Sequence, residues 1–242
     1  MRSVFINKEG AENQSTIFRQ SNAHFPDIER FQAIIDDGNS QADLINKGFL
    51  RSDFSGDSAA LSQALTHTLL WSSVLSEQKP LMIMEDNALL CQNFVEQRQK
   101  ILGQLNDDWD IILFGYDFDA SCVINAIPGV SPCGFYFDFN QMRKAAYTWH
   151  SRSVEANAYP LLQASGLYCY AVSPRGARLL LEACIPLRSL SNQPFSLDKQ
   201  MSAVYPKIKA FAAFPPLAIS GNDNSTMSFF KEKNNSRPAV SI

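Results

Sequence analysis

No run of Lys or Arg stands out in this chain, whose formal charge is −3 and whose pI is near 5.6. The electrostatic footprint that nucleic acid requires is therefore missing, and no nucleic-acid partner is expected. Long apolar runs are missing too. The first ten residues, MRSVFINKEG, hold a three-residue apolar stretch, too little for the h-region of a secretory signal, and no later run approaches the roughly 18 residues of a membrane span. No integral membrane segment is expected. The five cysteines (Cys91, Cys122, Cys133, Cys169, Cys184) are an odd number without CxxC or Cys/His ligand spacing, the usage of reduced, buried thiols. A cytoplasmic setting follows as the expectation. There is no internal repeat of solenoid length, and the polar end, residues 231–242, has too few apolar residues to pack. It reads as a flexible tail after a single domain over residues 1–230.

What is present is 242 residues, 45% hydrophobic and 19% charged, enough for one sizeable core or two small lobes sharing a cleft. Ser3–Ile6 reads as a buried strand, Asn7–Gly10 as a polar turn, and the following residues as a helix to about Ser21;. Ser55-Gly56-Asp57-Ser58 supplies N-cap chemistry for a helix carrying Leu61, Ala64, Leu65, Thr68 and Leu75 at the helical period;. Residues 59–75 carry no formal charge, so this helix is expected to be sandwiched in the protein or to line a cleft. Leu81–Met84 and Asp110–Phe114 read as buried strands, with a helix from about Cys91 to Leu105 between them;. Residues 117–159, rich in Gly, Pro and aromatics, read as a loop-rich insertion over the cleft. Gly166–Val172 reads as a strand, Ser173-Pro174 as the start of a helix to Cys184, and Ile208–Phe214 as a final strand;. Alternating strands and helices predict an α/β fold with a mainly parallel central sheet, whose ligands bind at the carboxyl ends of the strands.

Glu85-Asp86-Asn87 ends the most apolar of these strands, where carboxylates serve stability poorly unless they face a cleft, a metal or a hydrogen-bond network. Hard oxygen ligands of this kind suit Mg²⁺ or Mn²⁺ shared with phosphate oxygens. Asp117-Phe118-Asp119, a literal DxD beyond a strand, competes for that role and otherwise reads as an exposed loop pair. His67, with Trp71 one turn on, reads as a residue that packs or orients substrate. A third acidic candidate, Asp198, stands by a short helix.

Several blocks together resemble glycosyltransferase family 25, the bacterial lipooligosaccharide glycosyltransferases related to collagen galactosyltransferases. Ala64-Leu65-Thr66-His67 with Leu70-Trp71 looks like the family's ALSH…LW helix, and LMIMEDN over residues 81–87 like its strand ending in EDD. Trp109–Gly115, Gly166–Leu181, Pro194 with Asp198, and Pro215-Pro216-Leu217 with Ser225-Thr226 follow in the family's order. The resemblance implies a GT-A-type, Rossmann-like fold and inverting transfer of a hexose, galactose first, from a UDP-sugar donor. The implied acceptor is a saccharide or glycolipid of lipooligosaccharide or another surface glycan, met at the inner face of the membrane through peripheral contact. It also implies Mn²⁺ or Mg²⁺ held by Asp86 and Asn87, and donor binding by Asn7, Arg19, His67, Glu85 and Asp86. Asp198 is expected as the base, with Asp86 as the alternative catalytic carboxylate. The chain departs from the family at Asn87, where an Asp is usual, and at Asn13-Gln14, where Arg residues are usual and Arg19 is left as the nearest cation. Those departures keep a second class open, a protein with the same fold that binds a nucleotide or glycan without turnover.

Overall fold

A computed structural model describes residues 1–36, 41–190 and 194–221. The tail from residue 231 and the Ser225-Thr226 pair lie outside the described residues. The chain begins β1 (Arg2–Asn7), α1 (Glu12–Ser21), β2 (Glu29–Gln32), α2 (Gln41–Asn46), α3 (Ser58–Glu77), β3 (Leu81–Glu85). It continues β4 (Ala88–Leu90), α4 (Phe94–Leu105), β5 (Ile111–Gly115), β6 (Cys122–Ile127), β7 (Ser131–Phe135), α5 (Phe139–Ala145). It closes with β8 (Asn157–Gln163), β9 (Cys169–Val172), α6 (Pro174–Cys184), α7 (Leu197–Ser202), β10 (Ala210–Phe214) and β11 (Ala218–Ser220).

The strands form one sheet in the order β2-β1-β3-β9-β5-β10-β8-β6-β7, with β4 and β11 off the main path. Strands β2, β1, β3, β5 and β10 point the same way, and β9 runs against its neighbours β3 and β5. The expected α/β fold with a mainly parallel centre is borne out. Alternation of side chains along each strand divides the apolar runs between two cores. Val4, Ile83, Leu113, Tyr170 and Val172 face the layer holding α3, α6 and α7. Phe5, Met82, Met84, Ile112, Phe114 and Ala171 face Phe18 of α1 and Phe94 and Ile101 of α4. A strand with helices on both faces has no polar side, which is why LMIM and IILF read as unbroken apolar runs.

Two local expectations are corrected. Residues 117–159 form β6, β7, α5, a 3-10 turn (Ala146–Ser151) and the start of β8, so much of this segment extends the sheet rather than looping over the cleft. Pro132 and Gly134 fall on β7, an edge strand. There a missing N–H costs no ladder bond, and their turn-like composition hid the strand. The antiparallel direction of β9 was likewise hidden, because buried parallel and antiparallel strands carry the same apolar run.

At the opposite end of the sheet from the acidic residues, Gly176 in the first turn of α6 lies against β5. A Cβ there would stand 1.9 Å from the Asp110 carbonyl oxygen, so this close approach requires glycine. Ser173 caps the helix by accepting from the Gly176 N–H at 3.0 Å, and Arg175 Nε donates to Asp110 at 2.5 Å. Ser173-Pro174 is thus a helix start, as expected from its sequence.

Candidate functional site

Parallel pairing of β1 with β3 sets Phe5 beside Met84 and Ile6 beside Glu85, so the residues that leave the two strands, Asn7 and Asp86, emerge side by side. The Asn7 side chain is buried, and its Nδ2 donates to Asp86 Oδ2 at 2.7 Å and to the Ala11 carbonyl at 3.3 Å. Gln14, standing where the family usually has arginine, donates to the Asp86 carbonyl at 3.2 Å. These strand ends and the first half of α3 enclose a cavity of about 550 Å³, lined by Asn7, Lys8, Gln63, His67, Glu85, Asp86 and Asn87 among others.

The uncharged helix α3 supplies its other wall. Ser62 and Thr66 hydroxyls donate to the carbonyls of Ser58 and Ser62, each at 2.7 Å, and accept the N–H groups of Asp36 and Ile34 at 2.8 and 2.9 Å. A helix that spends its polar face pinning a neighbouring segment has no use for charges there. His67, fully buried on the same helix, approaches Glu85 Oε1 to 4.0 Å through Nε2. Gln63 donates to the same Oε1 at 2.5 Å.

Burial dominates the electrostatics. It pushes the Glu85 carboxyl up to about 7, helped by the charges of Asp117, Asp86 and Asp198 and opposed by the Gln63 hydrogen bond. Burial also raises Asp86, against the pull of Asn7 and Lys8, and drives the His67 imidazole down to about 3. Asp117, expected on an exposed loop, is instead hydrogen-bonded by the Tyr168 hydroxyl and raised by burial to about 6; its DxD partner Asp119 is exposed. The difference arises because the turn after β5 folds inward, the Asp117 N–H donating to the Ser165 carbonyl at 2.7 Å.

Five of the expected site residues, Asn7, His67, Glu85, Asp86 and Asn87, thus share one cavity. Asp198 lies outside its lining but close enough for its charge to raise Glu85 and Asp117. It sits in the first turn of α7 and accepts from Gly166 N–H at 2.9 Å, Lys199 N–H at 2.8 Å and the Ser196 hydroxyl. Arg19 is not among the residues that line the cavity: its guanidinium sits over the Phe5 ring at 5.2 Å and donates to the Ile28 carbonyl at 3.4 Å. Lys8 is the one Lys or Arg among the residues lining the cavity. Sequence reasoning missed Lys8 and Gln63; the spacing of four between Gln63 and His67 was the available signal for the latter.

The ion implied by the resemblance can be tested against these donors. Among the described residues, no three His, Cys, Asp or Glu side chains cluster closely enough to hold an ion unaided. Asp86 and Asn87 nevertheless offer hard oxygens at the mouth of two parallel strands. A pair of that kind fits Mg²⁺ or Mn²⁺ completed by substrate phosphates and water, rather than a protein-built cage.

Comparison with solved structures gives distant likenesses. A197 from STIV is 12% identical, with 93% of this chain and 96% of that chain covered and a TM-score of 0.44. The inositol-1-phosphate CTP transferase from T. maritima is 9% identical, with 99% and 98% covered and a TM-score of 0.40. The glycosyltransferase GlyE of Streptococcus pneumoniae TIGR4 is 8% identical, with 99% and 66% covered and a TM-score of 0.40. No curated protein matches the chain, and no described helix is long and apolar enough to cross a membrane. The sequence profile of glycosyltransferase family 25 (LPS biosynthesis protein) matches residues 6–199, a span that runs from the end of β1 through Asp198 and takes in every residue of the cavity named above, and the chain belongs to that family.

Proposed function

We propose that this glycosyltransferase moves a hexose, galactose first, from a UDP-sugar to a saccharide or glycolipid acceptor of lipooligosaccharide or a similar glycan, with inversion at the anomeric carbon. The observation that carries this reading is the convergence of Asn7, Lys8, His67, Glu85 and Asp86 on one cavity at the carboxyl ends of β1 and β3 in a member of family 25. Strand ends in such sheets are where nucleotide ligands bind.

In this reading Lys8 and the Asn7 side chain face the donor diphosphate, and His67 donates to an oxygen of the bound donor. Asp86 and Asn87 would hold Mg²⁺ or Mn²⁺, whose chemistry is to neutralise charge that builds on the departing diphosphate. Inversion needs one carboxylate to take the acceptor hydroxyl's proton opposite the leaving group. Asp198 is the first assignment for that base. Its three hydrogen-bond donors favour a second reading, in which Asp198 is anchored to orient the loop at Gly166 and Glu85 takes the proton, since a carboxyl at about 7 is matched to that task;.

The test is release of UDP from a panel of UDP-sugars with saccharide acceptors, with product configuration read by NMR. Acceptor-dependent release with inverted product is expected. Tight UDP-sugar binding without turnover would overturn the enzymatic reading in favour of a binding protein.

A further inference from the structure

The two ring nitrogens of His67 meet different surroundings. Nδ1 is 2.7 Å from the Tyr170 hydroxyl, whereas Nε2 has no hydrogen-bond partner among the described residues and faces Glu85 at the cavity. Which nitrogen carries the proton follows from the hydroxyl. Trp71 Nε1–H, which can only donate, donates to Tyr170 Oη at 2.9 Å;. Burial holds the Tyr170 phenol far above its ordinary range, so it keeps its own proton and needs an acceptor. His67 Nδ1 supplies one. A proton on Nδ1 instead would aim two N–H donors at one oxygen and leave the Tyr170 O–H without an acceptor in a fully buried place, which is disfavoured;, whereas Nε2 lacks a partner among the described residues in either form. Burial also keeps the ring neutral, with its pKa near 3.

We infer that Tyr170, itself held by Trp71, is a positioning residue: it fixes His67 as the neutral Nε2–H tautomer, so that the cavity wall beside Glu85 carries a permanent, uncharged hydrogen-bond donor. At 4.0 Å the direct approach to Glu85 is longer than a hydrogen bond;, and Nε2 is closed to solvent behind that side chain, so the donor serves Glu85 or, where Glu85 moves aside, an oxygen acceptor of the bound ligand. A neutral donor offers its hydrogen bond without adding a charge to the wall;. The tautomer stands independently of which ligand the cavity takes; its effect on binding rests on the reading of the cavity as the donor site.

The test begins with ¹⁵N–¹H correlation of the His67 ring in the wild-type protein. Nε2 is expected to be protonated and Nδ1 bare, unchanged from pH 5 to 8. A proton on Nδ1, or a ring that titrates in that range, overturns the inference. Tyr170→Phe is expected to give a mixture of tautomers. Trp71→Phe keeps the Tyr170–His67 contact, is expected to keep the Nε2–H form, and serves as the second variant should Tyr170→Phe fold poorly. With UDP-galactose as the probe, Tyr170→Phe is expected to weaken binding by calorimetry in inverse proportion to the fraction of Nε2–H form left in the ring spectrum, about twofold for an even mixture, and to raise KM more than it lowers kcat. A shifted tautomer with unchanged affinity overturns the positioning role. If the wild type neither binds UDP-galactose nor releases UDP, the donor-site reading fails while the ring spectrum still decides the tautomer.

Discussion

Glu85→Gln should make the protein more stable and less useful, and the size of the gain follows from the site. A carboxyl held at about 7 instead of its ordinary 4.5 binds its proton more tightly in the native state than in the unfolded chain. The native state therefore loses stability relative to the unfolded state as pH rises from about 4.5 through 7;. At about 1.4 kcal/mol for each pH unit the full cost approaches about 3 kcal/mol. With 18% of the side chain exposed, solvent screening lowers this to about 2 kcal/mol. Glutamine keeps the carbonyl that accepts from Gln63 and removes the charge. Urea unfolding of both proteins from pH 4 to 8 should give coincident stabilities at the acid end and a gap opening to about 2 kcal/mol by pH 8. Asp117, raised to about 6, imposes a similar slope on both proteins, so the difference isolates Glu85. UDP release should fall sharply in the same variant. Stability curves that stay parallel across the whole range would refute the claim that burial strains this carboxylate.

Asp86→Ala should abolish transfer and weaken UDP-sugar binding in calorimetry, and by leaving the buried Asn7 Nδ2 short of an acceptor it should also lower stability by about 1 kcal/mol. Asp198→Asn should lower kcat by about 10² to 10⁴ with nearly unchanged donor affinity if Asp198 is the base; a much smaller loss, with Glu85→Gln inactive, passes that role to Glu85. Asn87→Asp should tighten Mn²⁺ binding in the presence of UDP, with metal–nucleotide coupling of about 1 to 3 kcal/mol, and weaker UDP binding both with Mn²⁺ and with EDTA would sink the metal-site assignment. Gly176→Ala, which drives a methyl into the Asp110 carbonyl, should lower the melting temperature by about 10 °C without touching the cavity, as a scan of the purified protein would show.

Much of the scaffold was legible because burial leaves a mark on composition. Leu81–Met84 and Ile111–Phe114 are unbroken apolar runs and become central strands. Asp57 was readable as a cap and accepts from the Ala60 N–H at 2.7 Å. The charge-free stretch of α3 announced a helix that lines a cleft, and its hydroxyl contacts to residues 34 and 36 use part of its polar surface, although Gln63, Leu69 and Ser72 are exposed. The β6–β7 hairpin was illegible because Pro128 and Gly129 in its turn are followed by Pro132 and Gly134 on β7, residues that signal turns, and the edge position of β7 forgives the last two;. The short β4 and β11 pair across a long sequence separation, Ala218 with Leu90, which local pattern does not report. In the site, carboxylates ending an apolar strand pointed to Glu85 and Asp86. Arg19 could not be excluded locally, since helical phase alone does not say that its guanidinium folds back over Phe5. Tyr170 gave no signal: it reaches His67 because β9 inserts between β3 and β5, a matter of sheet order.

The replacement of the family's third carboxylate by Asn87 agrees with the electrostatics of this cavity. Lys8 is the one Lys or Arg among its lining residues and its charge acts on Asp86, while the ligand proposed for it is a diphosphate. Each further anion in such a wall would be opposed twice, by desolvation and by the charges already there. The chain relieves that opposition by letting burial hold a proton on Glu85 through much of the range below neutrality, and by placing an amide where a third charge would stand. The neutral His67 serves the same end from the other wall, giving a hydrogen-bond donor at no cost in charge. Asn87 therefore reads as part of a balance between one lysine, the carboxyls of Asp57, Glu85 and Asp86, and neutral polar groups, in which a further charge is avoided and the architecture of β1, β3 and α3 is left intact.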